Sequence, residues 1–260
     1  MPDPTDLFRL DGKVALITGG YGGIGLPVVH ALAQAGAAVA VTGHNSAKVD
    51  AVTRQLAREG QKAAGFTFEA SSVNETARLL DEVAKHFGRV DILVNAVGLN
   101  REQKAEEVTE DQFDHVFDVN LKSAMFQSQA AARHMIRQGA GGKILHFGSV
   151  RTLLGLRGRG YAAYCATKGG LAILTQQLAA EWAPHKINVN MVAPTFIRTE
   201  QVAKMLADDA FRTGLEARIP LARIGEPDDV VGAVLYFVSA ASDFVTGQTL
   251  YIDGGVTATQ

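Results

Sequence analysis

Seven short runs rich in Val, Ile, Leu and Ala recur along the chain: VALIT at 14–18, AVAVT at 38–42, GFTF at 65–68, DILVN at 91–95, KILHF at 143–147, INVNMV at 187–192 and TLYI at 249–252. Most are apolar on nearly every residue rather than on every second one. A strand of that kind must be covered on both faces, which a parallel sheet held between two helix layers provides. Longer segments of helical period separate the runs. Regular alternation of strand and helix predicts an α/β fold, a doubly wound, seven-stranded parallel sheet with helices on both faces.

The helices carry their own start and stop signals. Ser72 with Glu75, and Thr109 with Gln112, have the spacing of a capping box, in which two side chains satisfy otherwise unpaired N–H groups at a helix start. Leu171, Leu174, Leu178 and Trp182 form one apolar stripe, read as core packing, on a helix that Pro184 ends. No repeat, low-complexity tract or linker interrupts the pattern, so 1–260 reads as one domain.

Composition removes several function classes. The 260 residues are 47% hydrophobic and 20% charged, and 25 Lys+Arg against 27 Asp+Glu leave a net charge of −2. That is a soluble globular profile without the clustered basic excess that nucleic acid or acidic lipid requires. The one cysteine, Cys165, cannot form an intramolecular disulfide or a multi-thiolate zinc site. His115, His134 and His146 lack metal-ligand spacing, and no Gly-x-Ser-x-Gly elbow occurs. The first residues are polar, without a signal pattern, and the longest nearly apolar run, 230–241, is shorter than the roughly 20 residues that span a bilayer. The expectation is a cytoplasmic protein with a small-molecule substrate, no nucleic-acid or membrane partner and no metal.

Thr18-Gly19-Gly20-Tyr21-Gly22-Gly23-Ile24-Gly25 follows the first strand directly and opens a helix-like segment to about Ala35. Glycines are needed there if the backbone is to turn tightly and let a pyrophosphate approach the N–H groups of a helix N-terminus. Strand before and helix after make this a dinucleotide site of Rossmann type. Tyr164 and Lys168, four apart on a predicted helix, share one face. A free phenol has a pKa of about 10, and a neighbouring ammonium is expected to lower it toward the range of a useful base.

The spacing Gly19-x-x-x-Gly23-x-Gly25, followed by Tyr164-Cys165-Ala166-Thr167-Lys168, resembles the short-chain dehydrogenase/reductase family. The resemblance runs from about 10 to 255 and includes Asn95-Ala96-Val97-Gly98, Asn120 in DVNLKS, Ser149 after the fifth strand, Pro194-Thr195 and Asp253-Gly254-Gly255. It implies an alcohol–carbonyl oxidoreductase with Asn120, Ser149, Tyr164 and Lys168 as catalytic residues. Ser149 would hydrogen-bond the substrate oxygen and Tyr164 would exchange the hydroxyl proton. Lys168 would also hold the nicotinamide ribose, and Asn120 would fix a water linking Lys168 to solvent.

The same resemblance assigns the cofactor contacts: Gly19, Tyr21, Gly23, Ile24 and Gly25 at the turn, His44 at the end of the second strand, and Glu69 with Ala70 at the adenine. Asn95, Ala96 and Gly98, then Tyr164, Lys168, Pro194, Ile197 and Thr199, complete the set toward the nicotinamide. NAD selection usually needs an acidic side chain where this chain has Gly43, and NADP a cation near the 2′-phosphate. With His44 beside it and no acid to repel a phosphate, the expectation leans to NADP, with NAD open.

The Ser149-to-Tyr164 spacing is fifteen residues, longer than is usual in the family. This enlarged loop contains Arg151, Arg157 and Arg159, and an arginine fork suits a carboxylate, sulfonate or phosphate. Arg151, with Arg198 in the loop after Pro194, is the candidate anchor for an anionic substrate. The loop and the Tyr-Cys-Ala-Thr-Lys context resemble the gluconate-dehydrogenase-like subgroup, which points to a sugar, polyol or sugar acid. A 3-oxoacyl-carrier-protein reductase and a non-catalytic nicotinamide-binding regulatory module are the alternatives. The family resemblance also implies a homotetramer.

Overall fold

The structure, a computed structural model, describes residues 3–259. All seven strands join one parallel sheet: β1 (Val14–Thr18), β2 (Ala38–Gly43), β3 (Ala63–Thr67), β4 (Ile92–Asn95), β5 (Gly142–Phe147), β6 (Ile187–Pro194) and β7 (Thr249–Ile252). Their spatial order is β3-β2-β1-β4-β5-β6-β7. The chain winds outward from β1 to β3, then crosses back to lay β4 on the other side of β1. That reversal leaves a crevice at the carboxyl ends of β1 and β4, where open α/β sheets bind ligands.

Successive residues of the strands serve opposite cores, as runs apolar on both faces require. Ala15 and Ile17 of β1 and Val39 and Val41 of β2 pack in one cluster, with Val28, Val29 and Leu32 of α1 (Gly25–Gln34) and Val234 and Phe237 of α9 (Asp228–Val238). Val14 and Leu16, with Ala38 and Ala40, pack in the other, against Leu79, Leu80 and Val83 of α3 (Val73–Phe87), Met135 of α5 (Ser123–Gln138) and Leu178 of α6 (Ala162–Trp182). The remaining helices are α2 (Ser46–Arg58), α4 (Glu110–Phe117), α7 (Glu200–Leu206), α8 (Asp209–Glu216) and α10 (Val256–Thr259). Among the described residues no helix is long and apolar enough to cross a membrane.

Local signals place most boundaries. The Ser72 hydroxyl accepts from the Glu75 N–H at 3.3 Å and that of Thr109 from the Gln112 N–H at 3.4 Å. Glu75 does not close the box onto Ser72; its carboxylate reaches to the Glu69 N–H at 2.7 Å and ties the β3–α3 loop to the helix. The third strand lies two residues earlier than GFTF, at Ala63–Thr67. It is the sheet edge, mostly half-exposed, so its apolar pattern marks the register weakly.

Candidate active site

The glycine turn sits at the crevice. Gly19 adopts φ +73°, and the backbone closes so tightly that a Cβ on Gly25 would lie 2.1 Å from the Gly19 carbonyl oxygen. A cavity of about 500 Å³ opens beside it, walled by Gly19, Tyr21, Gly23, Ile24 and Gly25. His44, Glu69 and Ala70 line the side under β2 and β3, and Ala96, Gly98 and Thr199 the side under β4. Through the shared walls of Ile24, Ala96, Gly98 and Thr199 it continues into a second cavity of about 340 Å³. Ser149, Arg151, Tyr164, Lys168, Pro194 and Ile197 line that second chamber.

Ser149 begins a short 3-10 turn, Val150–Thr152, in extended conformation. Its Oγ accepts from the Arg151 N–H at 3.2 Å, which leaves its own O–H to donate toward Tyr164 and the chamber. Lys168 is buried, and its Nζ donates to the Phe147 carbonyl at 2.7 Å, anchoring α6 to the end of β5. Nζ lies 5.6 Å from the centroid of the Tyr164 ring. Burial pulls the Lys168 ammonium down to about 8. It pushes the Tyr164 phenol up to about 12, opposed by a hydrogen bond with Ser149.

That last result corrects the expectation that Lys168 alone makes Tyr164 more acidic. Nζ points to a backbone carbonyl, and desolvation of the phenolate outweighs the lowering effects of the Ser149 hydrogen bond and the Arg151 charge. The chain by itself holds Tyr164 as a protonated phenol facing the cavity, ready to donate.

Asn120 stands behind the wall rather than on it. The helix between α4 and α5 widens into a π turn, Asp118–Lys122, a distortion frequent at functional sites. From it, Asn120 Oδ1 accepts from the Leu99 N–H and Nδ2 donates to the Leu99 carbonyl, both at 2.8 Å. Nδ2 also lies 3.1 Å from Thr167 Oγ1, one residue before Lys168. A Cβ added to Gly98 would lie 3.4 Å from Lys168 Nζ and 3.6 Å from Asn120 Oδ1, so the three positions adjoin. Asn120 therefore fixes both the loop after β4 and the helix that carries Lys168.

Three sequence-derived candidates are placed differently from the expectation. Asn95 is buried beneath the floor, where Oδ1 accepts from Thr18 Oγ1 and the Val97 N–H, each at 3.4 Å. Glu69 lines the cavity, but its carboxylate turns one oxygen to Ser71: Oε1 accepts from the Ser71 N–H at 3.3 Å and from its hydroxyl at 3.1 Å, which leaves Oε2 as the acceptor. Arg198 is exposed and paired with Glu226 at 2.9 Å, outside the substrate chamber.

Other wall residues lie outside the sequence-derived set. Lys48 lines the first cavity, with Nζ 5.7 Å from the Tyr21 ring centroid, and the Tyr21 hydroxyl hydrogen-bonds His44 Nδ1 at 3.0 Å. The signal was available: Lys48 lies in the first turn of α2, four residues after His44. Tyr161 and Glu102 line the second chamber. Arg159 pairs with Glu102 and lies over the rings of Tyr161 and Phe211, binding three separate segments at the chamber mouth. Nothing local in the sequence announces the contacts with Glu102 and Phe211, which lie far from Arg159 in the chain.

A parallel sheet with a glycine turn at its reversal point, opening onto a chamber of Ser149, Tyr164 and Lys168, defines a nicotinamide-dependent alcohol–carbonyl oxidoreductase. The chain belongs to the short-chain dehydrogenase/reductase family. The family model that matches residues 19–257 is described as enoyl-(acyl carrier protein) reductase. The chain is 38% identical over 248 residues to a 2-dehydro-3-deoxy-D-gluconate 5-dehydrogenase of Escherichia coli (strain K12), covering 95% of this chain and 96% of that one. It is 36% identical to a gluconate 5-dehydrogenase of Gluconobacter oxydans (strain 621H), with 97% of each covered. The crystal structure of a gluconate 5-dehydrogenase from Burkholderia cenocepacia J2315, in complex with NADP and tartrate, superposes with a TM-score of 0.95 at 38% identity, over 99% of this chain and 100% of that one.

Proposed function

We propose that this enzyme interconverts a secondary hydroxyl and a ketone of a sugar acid, with NADP preferred over NAD. The observation that carries the reading is the convergence of Ser149, Tyr164 and Lys168 on a chamber continuous with the glycine-walled cavity. Relatives named for gluconate and deoxygluconate derivatives supply the substrate class.

The cavity fits a dinucleotide because backbone, not side chains, forms its wall at the turn: a Cβ at position 25 has no room. Gly19, Tyr21, Gly23, Ile24 and Gly25 would hold the pyrophosphate. His44 and Lys48 would meet the adenosine ribose, and Glu69 and Ala70 the adenine. Ala96 and Gly98 would flank the nicotinamide ribose bound by Tyr164 and Lys168, with Pro194, Ile197 and Thr199 at the carboxamide. The nicotinamide, when bound, supplies the hydride acceptor or donor. Ser149 donates its O–H to the substrate oxygen, and Tyr164 gives that oxygen a proton or takes one from it. Lys168, with its proton held loosely by burial, passes charge to and from the Tyr164 side. Asn120 positions Leu99 and Thr167.

The reading extends to a cytoplasmic homotetramer. Ile173 of α6 is 65% exposed and Leu250 of β7 41%, and large exposed apolar groups on regular elements suit self-association. Sedimentation that returns a monomer removes that part.

The test is nicotinamide absorbance with matched acidic and neutral sugars and polyols, NAD and NADP in parallel, and Tyr164→Phe as control. NADP-dependent turnover of sugar acids that Tyr164→Phe abolishes supports the reading. Turnover confined to acyl-carrier substrates, or cofactor binding without turnover of any alcohol or ketone, rejects it.

A further inference from the structure

Arg151 is a charged side chain, 8% exposed, with no carboxylate at ion-pair distance among the described residues. Two other candidate arginines are neutralised: Arg159 by Glu102 and Arg198 by Glu226. Burying an ion without a counter-ion is costly, so the position of Arg151 requires a reason.

Half of that reason lies in its own loop. The enlarged segment after Ser149 folds back so that Arg151 Nη1 donates to the Leu154 carbonyl at 3.1 Å and to the Gly155 carbonyl at 2.6 Å. A guanidinium has five N–H donors in a rigid fork, and both hydrogens of Nη1 are thereby used. Nε and Nη2, the edge that binds a carboxylate through two parallel hydrogen bonds, remain. Neither is among the sealed polar atoms lacking a partner, so both keep some access to solvent, and Arg151 is among the residues that line the chamber of Ser149 and Tyr164. Two backbone carbonyls hold the guanidinium rigid, which reduces the entropy lost on binding an anion. Glu102, on the same wall, does not oppose an anion because Arg159 neutralises it.

We propose that Arg151 is the specificity-determining residue of this site: its free edge binds the substrate's carboxylate while the reacting hydroxyl lies between Ser149 and Tyr164. The inference rests on the sugar-acid reading and deepens it. One residue then sets both ends of the substrate, because the Arg151 N–H also fixes the Ser149 hydroxyl at 3.2 Å. The enlarged loop becomes the structural means of holding a cation at that point.

The experiment compares wild type with Arg151→Ala, Arg151→Gln and Arg151→Lys on a panel of hexonates and uronates, each matched with its neutral alditol, with NADP. Arg151→Gln keeps an N–H donor for the loop carbonyls without the charge. The expected result is an acid-over-neutral preference in kcat/KM that falls about 100-fold in the Ala and Gln variants, carried by KM. Arg151→Lys should recover about tenfold of it. Calorimetric titration of the same acids into NADPH-saturated enzyme should show the same order of losses without turnover. Equal losses on acids and alditols in all three variants would assign Arg151 to loop positioning and overturn the inference, leaving the sugar-acid reading intact. A wild type that shows no preference for acids over alditols, or neither binds nor turns over any of them, overturns both.

Discussion

A Cβ on Gly43 would lie 2.1 Å from Cε1 of Tyr21. The Tyr21 ring, seated on the end of β2 and hydrogen-bonded to His44, thus excludes an acidic side chain at the position where NAD enzymes usually carry one. The residue at 43 is decided by a residue 22 positions earlier. Gly43→Asp alone should lose affinity for both cofactors, since the ring must move. Gly43→Asp with Tyr21→Ser should move the NADP-to-NAD ratio of kcat/KM toward NAD by about tenfold or more, about 1.4 kcal/mol. A Gly43→Asp enzyme with wild-type ratio and affinity would contradict the packing argument.

Lys48, exposed on the first turn of α2 and facing the same cavity, is the cation available to a 2′-phosphate. Lys48→Ala should raise KM for NADP about fivefold to tenfold, as expected for a charge-assisted contact weakened by solvent, and leave KM for NAD within twofold. Parallel titrations at low and high salt check it: the NADP penalty should shrink as salt rises.

Lys168 loses its proton near 8, below the ordinary 10.5, because it is buried. Between these values the unfolded chain binds more protons than the native one, so stability contributed by this group rises with pH across that window. Below 8 its destabilising effect is fully present. Lys168→Met should therefore raise Tm at pH 7 by about 3 °C and abolish turnover, with the gain shrinking by pH 10. Thermal melts at both pH values, beside assays, test both halves.

His146 is buried on β5 between Ser128 Oγ at 2.8 Å and Thr175 Oγ1 at 2.9 Å, and desolvation lowers it to about 3. The native state refuses a proton that the unfolded chain accepts below about 6.5, so stability falls as pH drops from 6.5 toward 3. Urea denaturation of His146→Asn should show a flatter decline between pH 6.5 and 4.5, whatever its stability at pH 7. An unchanged slope would mean that another group drives acid unfolding.

Arg159 ties Glu102, Tyr161 and Phe211 together at the chamber mouth. Arg159→Ala should raise KM for acidic and neutral substrates by the same factor, about threefold to tenfold, because the clamp shapes the chamber without meeting the anion. Steady-state kinetics on one matched pair suffices. A selective loss on acids would place Arg159, not only Arg151, on the carboxylate.

The sequence by itself determined the architecture and the chemical class. Runs such as 14–18 and 38–42 can be buried only on two faces, and the glycines at 19 and 25 meet steric demands set within one turn, so both are legible locally. The Tyr164–Lys168 pair on α6 was legible for the same reason, being one helical turn apart. Tertiary structure alone decided what those groups are able to do. Desolvation sets Tyr164 near 12 and Lys168 near 8, and burial is a property of the whole packing. Three arginines look alike in the sequence of the enlarged loop. Only the fold gives Arg159 a carboxylate, leaves Arg157 exposed and places Arg151 in the chamber, because these outcomes depend on the path the loop takes and on what the rest of the chain brings against it.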